Sequence, residues 1–123
     1  MKINNRRLKT FNEQSVKQAL EQCWSKQSSS LWTENNPARG QCSVTALVIQ
    51  EQFGGDILKT DVDGQWHFYN FIDGIGYDLT IDQFDKPPNY IDIPSNREEA
   101  FADTNQEQYT YLLNKFQQTF SKT

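Results

Sequence analysis

Three residues of this chain have types and an order suited to nucleophilic chemistry: Cys42, His67 and Asp78. A thiol acts as a nucleophile at neutral pH when its thiolate is stabilised and a base or ion-pair partner lies beside it. Cys42 follows Pro37-Ala38-Arg39-Gly40-Gln41 and precedes the apolar run Val44 to Ile49, which places it at the start of a helix. Unpaired backbone N–H groups and the helix dipole favour a thiolate there, and Arg39 adds positive charge. His67 is the one histidine of the sequence, so it alone can serve as an imidazole base. The second cysteine, Cys23, falls on an apolar helical stripe and reads as an inert core thiol.

The third member follows from strand parity. Asp73–Gly74 is a strong two-residue hairpin signal. If Ile72 faces Ile75 across that turn, Tyr69 lies opposite Asp78 and His67 opposite Thr80. Side chains alternate faces along a strand, so His67 and Asp78 point to the same side as diagonal neighbours, about 7–8 Å apart at Cα. A carboxylate there orients the imidazole and favours its charged form. A four-residue loop keeps this parity, whereas a three-residue loop would break it. Asn70 points away from His67 in every register, so Asp78 is the better third member. For the oxyanion, the backbone N–H of Cys42 is one candidate donor, with a side-chain amide from Asn35, Asn36 or Gln41 as the other. Taken singly, each residue has a plainer reading: a buried thiol, a half-buried strand histidine, a strand-ending aspartate. Order and parity together point to chemistry.

Elements must hold these residues in place. Ser15–Trp24 carries Val16, Ala19, Leu20, Cys23 and Trp24 at helical spacing, with Ser15 as a candidate cap. Ser25–Gly40 is polar and reads as a loop. A second helix starts near Gln41–Ser43 and ends at Phe53, before Gly54–Gly55. Three strands follow, Asp56–Val62, Gln65–Ile72 and Ile75–Thr80, separated by Asp63–Gly64 and Asp73–Gly74 as an antiparallel meander. Asp85–Asn96, with Pro87, Pro88 and Pro94, reads as an extended connection. The last helix is expected from Thr104, with Thr104 and Glu107 as a capping box and Tyr109, Leu112, Leu113, Phe116 and Phe120 as its core stripe.

The 123 residues suit a single α+β domain, with residues 1–10 as a basic arm carrying Lys2, Arg6, Arg7 and Lys9. A net charge of −4 argues against nucleic acid as a partner. No apolar stretch reaches the length of a membrane span, and Met1–Thr10 has no signal-peptide core. A cytoplasmic protein with reduced cysteines is therefore expected. One histidine and two cysteines do not make a closed zinc site, so neither a metal nor another cofactor is expected.

The run Asn36-Pro37-Ala38-Arg39-Gly40-Gln41-Cys42-Ser43-Val44-Thr45-Ala46-Leu47, followed by Gln50, resembles the YunG-like family of small bacterial proteins. So do Gly54-Gly55-Asp56-Ile57-Leu58, His67-Phe68-Tyr69-Asn70, Asp78-Leu79-Thr80 and Gln83-Phe84. The order of cysteine, strand histidine and next-strand aspartate is also similar to the wider papain-like and transglutaminase-like architecture. There a helix carrying the cysteine packs on an antiparallel sheet carrying the other two. That resemblance implies a papain-like (cysteine-proteinase-like) fold and thiol chemistry on an amide or acyl group, with no substrate specified. One departure concerns the glutamine that many papain-like enzymes carry a few residues before the cysteine; Asn35 and Asn36 stand there instead. The expected function is a thiol-dependent hydrolase or amide/acyl transferase acting on a peptide, protein or small amide. Substrate contacts are expected from Trp32 and Trp66, both of which also suit core or rim packing. The alternative is a non-catalytic protein-binding module on the same fold.

Overall fold

The computed structural model describes residues 10–120, so the expected basic arm, apart from Thr10, lies outside the described residues. Helix α1 (Glu13–Cys23) buries Val16, Ala19, Leu20 and Cys23, the stripe read from its spacing. It starts earlier than that spacing suggests. Asn12 is the cap, its Oδ1 accepting the Ser15 N–H at 2.9 Å, so Ser15 is already inside the helix.

Helix α2 (Cys42–Phe53) is buried nearly all round, from Ser43 through Ile49 and again at Gln52. A helix buried on nearly every side is a central element. Its buried polar groups are tied to what surrounds it. Trp24 Nε1 donates to Thr45 Oγ1 at 2.9 Å, and Asn70 Nδ2 donates to the Ala46 carbonyl at 3.0 Å. Gly54 and Gly55 end it at φ +82° each. A Cβ on Gly55 would sit 2.3 Å from the Phe71 carbonyl oxygen, so glycine is required where this helix turns into the sheet.

The sheet contains β1 (Asp56–Val62), β2 (Gln65–Ile72), β3 (Ile75–Tyr77) and β4 (Ile93–Ser95) in the order β3-β2-β1-β4, all antiparallel. Both hairpin turns have positive φ at the aspartate and the glycine, as two-residue primed turns need. The β2–β3 register is Ile72↔Ile75, Phe71↔Gly76 and Asn70↔Tyr77, as the two-residue turn requires.

The sheet departs from the expected three-strand meander in two places. The third strand stops at Tyr77 because Asp78 Oδ1 accepts the Thr80 N–H at 3.2 Å. That bond turns the chain into a 3₁₀ turn at Ile81–Gln83. The proline-rich connection also contains β4, a fourth strand paired to β1. Pro94 is tolerated because β4 is an edge strand, where a missing donor costs little.

Asn96 caps the short helix α3 (Arg97–Phe101) through the Glu99 N–H at 2.8 Å. Helix α4 (Gln106–Phe120) begins later than its expected box. Asn105 Oδ1 accepts the Gln108 N–H at 2.8 Å, while Thr104 Oγ1 donates to Gln108 Oε1. Its Tyr109, Leu112, Phe116 and Phe120 are buried, and Leu113 packs at the edge of the core. The rings of Phe11, Phe53, Phe116 and Phe120 close the far end of α2 in edge contacts. The end of α2 that carries Cys42 is left facing the β2–β3 hairpin.

Candidate functional site

Cys42 opens α2, and the approach to it is narrowly constrained. Successive turns, Arg39 N–H to the Asn36 carbonyl and Gln41 N–H to the Ala38 carbonyl, fold the chain tightly before the helix. Gly40 sits at φ +73°, and a Cβ there would lie 2.4 Å from Ser29 Oγ and 2.9 Å from Leu31 Cβ. Gln41, the cap residue, makes no side-chain hydrogen bond to the first turn. The first N–H groups of α2 are thus left without a side-chain cap, and such a terminus favours negative charge.

His67 and Asp78 meet, although Asp78 lies one residue past the end of β3 and the expected pairs Tyr69–Asp78 and His67–Thr80 fall outside the ladder. His67 Nε2 lies 2.7 Å from Asp78 Oδ2, and both side chains are 4 % exposed. Asp78 is held from several sides. Its Oδ1 accepts from the Thr80 N–H and, at 3.3 Å, from Thr80 Oγ1; its Oδ2 also accepts from the Tyr90 hydroxyl at 2.6 Å. Phe84 sets its ring edgewise to the imidazole at 4.8 Å between centroids, and Tyr69 stacks at 6.2 Å. Asn70 points the other way, into α2.

Burial works against a charged imidazole, but it is outweighed. Hydrogen bonding to Asp78 and to Cys42, with the charge of both, raises His67 from 6.5 to about 9. At neutral pH His67 is therefore an imidazolium, and both ring nitrogens carry protons. With Nε2 engaged by Asp78, Nδ1 is the nitrogen left for Cys42. Cys23, by contrast, is buried in the core, and desolvation pushes its thiol up. Burial and hydrogen bonds to carboxylates likewise push the Tyr69 and Tyr90 phenols up, so both stay protonated donors.

Cys42 and His67 line one cavity of about 730 Å³, with Trp66, Gln83, Phe84 and Arg39 among its walls. Such a volume suits a small ligand or a few peptide residues. Trp66 is 48 % exposed, with Lys59 Nζ 4.3 Å from its ring centroid. Lys59 is itself paired to Glu99 at 3.0 Å.

Of the residues singled out from sequence, Cys42, His67 and Asp78 come together, and Trp66 stands on the cavity wall. Trp32, Asn35, Asn36 and Gln41 do not line it. Trp32 packs against the core. Asn35 is exposed, and Asn36 Nδ2 donates to the Gln83 carbonyl at 3.3 Å. Gln41 is fully buried, its Nε2 at 3.5 Å from the Ser25 carbonyl oxygen. The side-chain amide that does line the cavity is Gln83, whose Nε2 donates to Thr80 Oγ1 and whose Oε1 accepts the Gly40 N–H. Gln83 and Phe84 stand in the segments that carried the family resemblance, which was the one signal for them. Tyr90 lies in the proline-rich connection, where no periodicity marks it. Among the described residues no cluster of His, Cys, Asp and Glu is placed to hold a metal ion, and no helix is long and apolar enough to cross a membrane.

A family profile described as YunG protein matches residues 12–121. The chain belongs to the YunG protein family. It is 60 % identical over 101 residues to a Bacillus subtilis (strain 168) protein named "Uncharacterized protein YunG", covering 82 % of this chain and 88 % of that one. No solved structure matches. The YunG match takes in every element from α1 to α4, and so the whole site described above.

Proposed function

We propose that this protein is a thiol-dependent hydrolase or amide/acyl transferase with Cys42 as nucleophile, on a papain-like arrangement of helix and sheet. One observation carries the reading: the buried 2.7 Å contact with Asp78 holds His67 where its imidazole lines the same cavity as Cys42. Such a pair stabilises a thiolate and then supplies its own proton.

The chemistry runs in two stages. The Cys42 thiolate attacks the carbonyl carbon of an amide or ester, and the first-turn N–H groups of α2 receive the developing oxyanion. The C–N or C–O bond breaks as the His67 imidazolium gives its proton to the leaving atom, leaving an acyl thioester on Cys42. The neutral imidazole then takes a proton from water or an acceptor amine. The resulting nucleophile attacks the thioester, the C–S bond breaks, and thiolate and imidazolium are restored. Asp78 holds the ring and offsets its charge throughout. The substrate class is a peptide, protein or small amide, handled in the cytoplasm without a cofactor.

Turnover of an activated acyl ester, followed with intact-mass detection of the acyl thioester, tests this. Wild-type protein should accumulate one acyl group on Cys42, and Cys42→Ala none. Acylation confined to Cys23, or absent, would remove the enzyme reading. A second reading, a non-catalytic protein-binding module, is favoured by the exposed Trp66 and Leu31 on the cavity walls. A folded Cys42→Ala variant that keeps full affinity for a partner, beside a wild type that forms no thioester, would establish it.

A further inference from the structure

We propose that Tyr90 is a positioning residue that shares Asp78 Oδ2 with His67 and so limits how firmly the aspartate holds the imidazole. The proposal rests on the Cys42–His67–Asp78 reading and extends it to a residue outside that trio. Two donors converge on one oxygen, Tyr90 at 2.6 Å and His67 at 2.7 Å. A carboxylate oxygen that accepts a second strong hydrogen bond has less charge to offer the first.

The placement of Tyr90 is built into the fold. Thr60 pairs with His67 across β1 and β2, on the same face. Its Oγ1 donates to the Asn89 carbonyl at 2.8 Å and accepts the Ile91 N–H at 3.1 Å, pinning the residues on either side of Tyr90. Next along, Tyr69 OH donates to Asp92 Oδ1 at 2.6 Å and accepts the Asp92 N–H at 2.9 Å. Asp92 itself sits at φ +55°. The strand position opposite the histidine thus anchors the strap that brings the phenol to the aspartate.

Tyr90 is not needed to keep Asp78 in place. Thr80 holds Oδ1 through both its N–H and its hydroxyl. Removing the Tyr90 hydroxyl therefore leaves the carboxylate oriented and more negative toward His67. The groups around the imidazole are Cys42 from α2, Asp78 beyond β3 and Tyr69 from β2, with Tyr90 of the strap on the far side of the Asp78 carboxylate and neutral Thr60 and Phe84 completing the surround. Arg39, Glu99 and Asp103 share the cavity. For catalysis the consequence is balance: an imidazolium held too firmly is a poor proton donor to the leaving group.

Because the sequence has one histidine, an NMR titration of the imidazole reads His67 without ambiguity. Tyr90→Phe should move its titration upward by a few tenths of a pH unit. Thr60→Val, which frees the strap but keeps the phenol, should move it the same way by less. Asp78→Asn should move it down, well below the wild type. A substitution that merely loosened the His67–Asp78 contact would lower the titration instead. If Asp78→Asn lowers it while Tyr90→Phe leaves it unchanged or lowers it, the role of Tyr90 is overturned. If Asp78→Asn leaves it unchanged, the three-residue site itself fails.

Discussion

The two cysteines make an internal comparison at the scale of single residues. Cys42 stands at a helix start beside an imidazolium and on a cavity wall, whereas Cys23 is 1 % exposed with its thiol pushed up by desolvation. Iodoacetamide should therefore label Cys42 much faster than Cys23 in the native protein, read by peptide mass spectrometry. Equal rates, or a faster Cys23, would remove the activated nucleophile. The trio was legible in the sequence because each member left its own mark: a helix start, a lone imidazole, and a two-residue turn that settles parity. Tyr90 left none, since a hydrogen bond across the fold has no local pattern, and Gln83 was marked only by the family resemblance. Upstream of the cysteine, Asn36 ties its loop to Gln83, Gln41 is sunk in the core and Asn35 is exposed.

Single elements decide how well the site is held. Gly40 occupies a left-handed conformation against Ser29 and Leu31, so Gly40→Ala should cost about 1–3 kcal/mol and slow Cys42 alkylation by shifting the first turn of α2. A variant with unchanged denaturation midpoint and unchanged alkylation would show that this turn does not place the thiol. At the other end, Phe116 is fully buried against Phe53 and Phe120. Phe116→Ala should cost about 3–5 kcal/mol, measured by urea unfolding. No change there would mean that α4 does not seal the core. Helix and strand existence was readable from periodicity; ends were harder. Asn12 and Asn105 out-competed Ser15 and Thr104 as caps by geometry alone. The edge strand β4 was hidden by Pro94, a residue that argues against strand except where no donor is needed.

The molecule as a whole acts to keep a charged imidazole out of water. The titration of His67 in the folded protein, about 9, lies above its ordinary 6.5, so protonation favours the native state. That contribution is full below about pH 6.5, declines through the interval, and is lost once the pH passes 9. Wild-type protein should lose more stability between pH 6 and pH 10 than His67→Gln does, as read from denaturant midpoints; equal losses would mean the imidazole is not held charged. The α+β layout and the β2–β3 register followed from hydrophobic spacing and turn chemistry. The strap over His67 did not, because its course depends on Thr60, Tyr69 and Tyr90 meeting only in three dimensions. The central claim is that the end of α2 and the β2–β3 hairpin form one chemical unit. Its most direct test is the pH profile of Cys42 alkylation in wild-type protein and in folded His67→Ala, Asp78→Asn and Asn70→Ala variants. The rate at neutral pH should fall most in His67→Ala, less in Asp78→Asn and least in Asn70→Ala. Four superimposable profiles would contradict the claim, and a larger effect from Asn70→Ala than from Asp78→Asn would reassign the third residue.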